Sequence, residues 1–301
     1  MTAISPIGVI AHYNLLERLD PAGPGELYRA RDTRHGRTVA IRWLPPGFTS
    51  RGVSSDAIVE QARGLASLSH PNVITVFDAG EQDGRGYLVF EFLKGQSLRA
   101  EMAGRPVNVR RAVELAVQIA DAVADAHAAG YVHGGLSPDS IVITAKGHAK
   151  IPVFEFASRG GFEPGEGGLR LRDYDSPEEA RGGPADDRSD IYSVGAVLFE
   201  MLTTRRPSHR GAAAPSASNR HVPKELDEII LRAIAPNPES RYQSAATLSA
   251  ELRAIGAILD VRGGAGDEPA DDEKAGASVG GTLALTLVIL AVAAAAVWWF
   301  L

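Results

Sequence analysis

Between Tyr13 and Leu93 the chain carries short apolar-rich runs, each bounded by Gly, Pro or Asp. Leu27-Tyr28, Thr38 to Trp43, Val73 to Phe77 and Tyr87 to Phe92 read as strands from their β-branched and aromatic content. One helical stretch, Ser55 to Leu68, interrupts them. Further along, the spacing of apolar residues changes to that of a helix. Val109 to His127 sets Val113, Val117, Ala120 and Ala124 on one stripe, and Ser189 to Leu202, Lys224 to Ala235 and Ser244 to Leu259 follow. A small sheet-rich lobe followed by a helical lobe predicts an α+β fold. Residues 1–12 read as an N-terminal extension, and residues 260–281, which are Gly, Ala and acidic, as a flexible linker. There is no internal repeat.

The last stretch is of a different kind. Thr282 to Leu301 holds twenty residues without a charge. As a helix rising about 1.5 Å per residue it spans roughly 30 Å, the hydrocarbon thickness of a bilayer. Trp298, Trp299 and Phe300 gather at one end, where amphipathic rings favour the membrane interface. The expectation is a C-terminal transmembrane helix inserted after synthesis as a tail anchor. The N-terminus has no basic region of the secretory type, so the preceding residues are expected in the cytoplasm, tethered to the cell membrane by a single pass.

Composition narrows the chemistry. With 45% hydrophobic and 23% charged residues in a chain of 301, this is a globular protein large enough for two lobes. A net charge of −6 argues against a nucleic-acid partner. The absence of cysteine excludes disulfides, thiolate nucleophiles and zinc–thiolate sites.

Several segments combine into a resemblance. Leu68-Ser69-His70-Pro71-Asn72, Ser176-Pro177-Glu178-Glu179-Ala180-Arg181-Gly182, Asp187-Arg188-Ser189-Asp190-Ile191-Tyr192-Ser193-Val194-Gly195 and Asn237-Pro238-Glu239-Ser240-Arg241-Tyr242 occur in order and at regular spacing. From about Tyr13 to Leu259 the chain resembles the bacterial eukaryotic-like (Hanks-type) serine/threonine protein kinases. The resemblance implies a bilobal protein-kinase-like fold, with a β-rich N-lobe over residues 13–93 and a helical C-lobe over 94–259. It also implies that Glu178 pairs with Arg241 inside the C-lobe and that Asp190 holds the catalytic-loop backbone.

The same resemblance shows where the chemistry departs. The phosphate-binding loop would be Gly-x-Gly-x-x-Gly, but the chain reads Asp20-Pro21-Ala22-Gly23-Pro24-Gly25-Glu26-Leu27, keeping only Gly25 of the pattern with Gly23 beside it. Val39-Ala40-Ile41-Arg42 places arginine at the phosphate-contacting lysine, and a planar fork is no substitute for a compact ammonium. The glutamate that pairs with that lysine falls at Gln61, and an Arg42–Gln61 hydrogen bond is the expected replacement. In His133-Gly134-Gly135 the catalytic base, which takes the substrate hydroxyl's proton, is Gly135. The loop lysine is Ser137 and the metal-binding asparagine is Ser140; Asp139 matches a variable, solvent-facing position. The metal-binding Asp-Phe-Gly is Val153-Phe154-Glu155, and Val153 has no oxygen for a hard cation. Gly134 also replaces the arginine that would receive an activation-loop phosphate, so switching over Phe156 to Tyr174 is not expected.

The apolar frame is kept. Leu27, Ala40 and Val142 match the residues that sandwich an adenine ring, Phe90 the gatekeeper, and Glu91 to Leu93 the hinge. Leu65, His133 and Phe154 match a stack joining the lobes. The reading is a membrane-anchored pseudokinase with no catalytic or metal-binding residue and no required cofactor, binding at most ATP without Mg²⁺. Its expected partner is an unidentified cytoplasmic signalling protein, with an active kinase as one candidate. The alternative is an unorthodox active kinase that uses Arg42, Asp139 and Glu155.

Overall fold

Five seven-residue strands and one three-residue strand pair into one antiparallel sheet in the first third of the chain. The computed structural model describes residues 6–19, 25–45, 49–50, 53–54, 59, 62, 69–152 and 173–264. The sheet has six strands in the order β1-β2-β3-β4-β8-β7. They are β1 (Gly8–Ile10), β2 (Tyr13–Leu19), β3 (Glu26–Asp32), β4 (Arg37–Trp43), β7 (Val76–Gln82) and β8 (Arg85–Glu91); a small hairpin, β5 (Thr49–Ser50) and β6 (Val53–Ser54), lies between β4 and β7 in sequence.

Period-two alternation gives this sheet two apolar faces. On one, Ile10, Tyr13, Leu15, Ala30, Val39, Ile41, Tyr87 and Val89 form their own buried cluster. On the other, the register sets Leu27 opposite Arg42, Arg42 opposite Leu88, and Ala40 opposite Phe90. Leu88 is fully buried there in a second cluster that includes Val59, Ala62 and most of the C-lobe core, and Phe90 packs against it.

The C-lobe begins with β9 (Gly95–Ser97) and α1 (Leu98–Met102), followed by the long α2 (Val109–Ala128). Strands β10 (Val142–Thr144) and β11 (Ala149–Lys150) join β9 in a three-stranded antiparallel sheet. Helices α3 (Pro177–Ala180), α4 (Asp187–Thr203), α5 (Lys224–Ala233) and α6 (Ala245–Gly264) complete it. Helix α2 buries a wide face that includes Leu115, Ile119 and Val123, and Asn108 caps it by accepting from the Arg111 N–H. Every residue of α4 from Ser189 to Thr203 is buried. At Gly195 an added Cβ would stand 2.8 Å from both Ala233 Cβ and Ile234 Cγ2, so glycine sets how closely α4 meets the end of α5.

Four sequence expectations need correction. Residues 8–10 are part of the sheet, with Ile10 fully buried, so the N-terminal segment is more than an extension; three residues are too few to show a period. The run from Val73 is a strand only from Val76, since Val73 makes a single parallel bridge to Ile151. The later region contains β10 and β11, whose three and two residues are likewise too short to alternate. The final helix continues through Asp260 to Gly264, into the expected linker, because extending a formed helix costs far less than starting one. Among the described residues no helix is long and apolar enough to cross a membrane, and Thr282 to Leu301 lie outside them.

Candidate functional site

The cleft side of the six-stranded sheet carries Leu27, Ala40, Arg42 and Phe90 on adjacent strands, the set expected to face a nucleotide. Burial lowers the Arg42 guanidinium to about 10, which still leaves it charged at neutral pH. Gly25 has φ +86, and a Cβ there would come within 2.1 Å of the Trp43 carbonyl oxygen. Close strand packing therefore accounts for this glycine without any phosphate. Gly23, Gln61, Leu65, Val153, Phe154 and Glu155 lie outside the described residues.

At the hinge position Glu91 is engaged through both backbone and side chain. Its N–H donates to the Thr75 carbonyl at 3.0 Å. Its Oε1 accepts from Thr75 N at 2.9 Å and from Lys150 Nζ at 2.5 Å. Leu93 follows in the half-buried connection to β9. Val142 is half-buried between fully buried Ile141 and nearly buried Ile143, and pairs with Ser97 and Lys150.

The catalytic-loop segment is held from beneath. Asp190, fully buried on α4, accepts from His133 N at 2.8 Å, Gly134 N at 2.6 Å and His127 Nε2 at 2.8 Å. Gly134 takes φ +65, a left-handed conformation that costs glycine little. The scaffold for the loop is thus built, while Gly135 brings no side chain to its centre.

The positions of the family's lysine and asparagine close on themselves. Ser140 N donates to Ser137 Oγ at 3.3 Å, Ser137 N donates to Ser140 Oγ at 3.2 Å, and Ser140 Oγ donates to the Ser137 carbonyl at 3.0 Å. These hydroxyls satisfy a tight local turn, a common use of serine near a chain reversal.

Asp139, half-exposed, is ion-paired rather than free. Its Oδ2 accepts from Arg99 Nε at 3.3 Å and Nη2 at 3.2 Å. The same guanidinium donates to Glu200 Oε1 at 2.7 Å and to the Tyr174 hydroxyl at 2.5 Å, and Tyr174 in turn donates to Glu200. Burial alone would weaken the charge on Arg99, but bonds to Tyr174, Glu200 and Asp139 outweigh it and raise the pKa. Four segments far apart in sequence meet here. The only sequence signal was the presence of charged residues in otherwise apolar stretches, Glu200 within α4 above all.

Glu178 and Arg241 form a two-pronged pair, Nη1 to Oε1 and Nη2 to Oε2, each at 2.7 Å. Arg241 also donates to the carbonyls of Ala235 and Arg188 at 2.7 and 3.0 Å, and its side chain is completely buried. Ser189 Oγ adds a bond to Glu178 Oε1 at 2.9 Å. Burial pushes the Glu178 carboxyl up, but the arginine bonds outweigh it and hold it at about 2.

The arrangement can position a loop and a hinge. It provides no general base at Gly135; Asp190 is engaged by the loop backbone and Asp139 is ion-paired with Arg99.

Comparison with known proteins places these features. The protein kinase domain model matches residues 13–255. The chain is 33% identical over 262 residues to serine/threonine-protein kinase PrkC of Bacillus subtilis, covering 81% of this chain and 40% of that protein. It is 31% identical over 271 residues to serine/threonine-protein kinase PknB of Mycobacterium tuberculosis, covering 82% and 43%. It therefore spans about two fifths of the length of these relatives. The crystal structure of the Mycobacterium tuberculosis PknI kinase domain superposes with a TM-score of 0.68 at 21% identity, covering 84% of this chain and 99% of that one, which speaks for the fold alone. The chain belongs to the protein kinase domain family, among relatives that are bacterial serine/threonine-protein kinases.

Proposed function

We propose that this chain is a membrane-anchored pseudokinase: a kinase-fold domain that binds a signalling partner at the membrane and does not transfer phosphate. The observation that carries this reading is the catalytic loop. Asp190 holds the loop backbone in place, yet Gly135 has no side chain, Ser137 and Ser140 bond to each other, and Asp139 is tied to Arg99. Losing one catalytic group typically costs roughly 10²–10⁴-fold, and the base, lysine, glutamate and both metal ligands are all replaced here. Magnesium needs hard oxygen ligands, which neither Val153 nor a hydroxyl turned into its own loop supplies well. Any nucleotide is then held through the apolar frame of Leu27, Ala40, Phe90 and Val142, weakly and without metal. Thr282 to Leu301 anchor the domain.

The alternative, an active but unorthodox kinase, is favoured by its 31–33% identity to relatives named as serine/threonine-protein kinases. Incubation of the detergent-solubilised full chain with radiolabelled ATP and Mg²⁺ or Mn²⁺ separates the two. The expected outcome is no incorporation above a protein-free control. Robust transfer abolished by Asp139→Ala or Glu155→Ala would overturn the pseudokinase reading.

A further inference from the structure

The β1–β2 and β3–β4 turns meet at one end of the six-stranded sheet, because Tyr13 pairs with Asp32 and Asp32 with Arg37 across neighbouring strands. Thr33 ties one turn to the other, its backbone N–H and its hydroxyl both donating to the His12 carbonyl, at 3.2 and 2.7 Å. Two imidazoles and a carboxylate converge at this junction. Asp32 is fully buried. Its Oδ1 accepts the backbone N–H groups of Arg34 and His35, each at 3.0 Å. Its Oδ2 faces His35 Nδ1 at 2.9 Å and Arg37 Nε at 3.1 Å. His12 Nε2 lies 3.6 Å from Oδ1, is buried, and makes no hydrogen bond among the described residues.

A buried ring nitrogen without a partner carries a desolvation cost that a native structure ordinarily avoids. Here it points at a carboxylate beyond hydrogen-bonding distance, with a second imidazole on the same group. One donor atom from each of His12, Asp32 and His35 lies within 4.8 Å of the others. Two donors bound at about 2.0–2.1 Å to a tetrahedral ion stand roughly 3.3 Å apart. The 2.9 Å from His35 Nδ1 to Oδ2 is close to that spacing, and His12 Nε2 lies 3.6 Å from the other oxygen of the same carboxylate, Oδ1.

We propose that His12, Asp32 and His35 bind one divalent transition-metal ion of the Zn²⁺ or Co²⁺ type. Imidazole nitrogen with a single carboxylate is the donor set such ions take, whereas Mg²⁺ and Ca²⁺ prefer all-oxygen sites. Arg37 bonds Oδ2 with its guanidinium 3.6 Å over the Phe77 ring, and the Arg34 and His35 backbone N–H groups occupy Oδ1, so the ion takes the place of the proton between His35 Nδ1 and Oδ2. His35, whose side chain is 62% exposed, leaves a fourth position open to water. Binding requires both imidazoles neutral, so affinity falls as the pH drops below the histidine range. The ion acts as a clip between two turns already aligned by Thr33, and the inference does not depend on whether the cleft transfers phosphate.

The test uses the untagged full chain, stripped with a chelator and titrated with Co²⁺ under visible absorption. The expected result is one Co²⁺ per chain with the bands of a tetrahedral site, displaced by Zn²⁺, and a rise in unfolding temperature on adding Zn²⁺. His12→Ala and His35→Ala should each weaken binding by about tenfold or more. His35 is exposed, so its variant keeps the fold and decides the matter even if His12→Ala unfolds. Absence of Co²⁺ binding, or equal affinity and spectrum in wild type and His35→Ala, overturns the proposal.

Discussion

Arg241 has no exposed side-chain surface, and each of its prongs meets an oxygen of Glu178 at 2.7 Å. Replacing it with alanine leaves a carboxylate facing the lobe interior without its counter-ion. Such a loss costs about 3–5 kcal/mol, far more than the pair contributes over an apolar substitute. Equilibrium urea unfolding of Arg241→Ala should show a fall of that size. The same pair sets an acid limit. Arg241 lowers the Glu178 carboxyl from 4.5 to about 2 in the folded protein, so its stabilisation is complete above pH 4.5 and is lost as the pH falls towards 2. Glu178→Gln, which keeps the shape and removes the charge, should flatten that part of the stability–pH curve. An unchanged acid limb would show that other carboxylates dominate.

Between elements, Gly195 sets how closely α4 approaches the end of α5. Both neighbours of an added Cβ, at 2.8 Å, are themselves on or next to a helix, so neither can swing aside as a long side chain would. Gly195→Ala should therefore cost about 1–3 kcal/mol by overpacking, despite alanine's better helix propensity. A thermal melt reads the difference, and a stabilised variant would mean the helices separate more easily than this packing implies. The contact also shows what sequence pattern conveys. Helices α2 and α5 were legible because each exposes one face, leaving a 3.6-residue period. Helix α4 is buried all round and shows no such stripe, so its length and the Asp187 to Gly195 motif identified it. The Arg99 cluster could not be assembled from the sequence, since residues 99, 139, 174 and 200 become neighbours only when four segments pack. The Glu178–Arg241 pair, equally distant in sequence, was found only through the family resemblance. The pairing of Asp139 with Arg99 was missed for the same reason: periodicity describes an element's own faces, not what approaches it.

For the whole molecule, the kinase-like domain accounts for residues 13–255, and the remaining question is what the chain's far end does with it. Thr282 to Leu301 contains five Leu, three Val, one Ile and one Phe, and no charge. At roughly 0.3–0.6 kcal/mol for each, insertion is favoured by about 3–6 kcal/mol before the tryptophans are counted. A buried core helix would need a partner surface, and the segment is separated from the folded domain by the acidic stretch Asp267 to Glu273. The full chain should therefore sediment with membranes and resist extraction by high salt or alkaline carbonate, while detergent releases it. A chain ending at Gly281 should remain in the soluble fraction with the same unfolding temperature. Full-length protein that stays soluble without detergent, or a truncated form that still sediments, would remove the anchor from the proposed function. Anchoring matters to that function because a domain without phosphate transfer acts through occupancy, and confinement to a surface raises its effective concentration towards any partner held there.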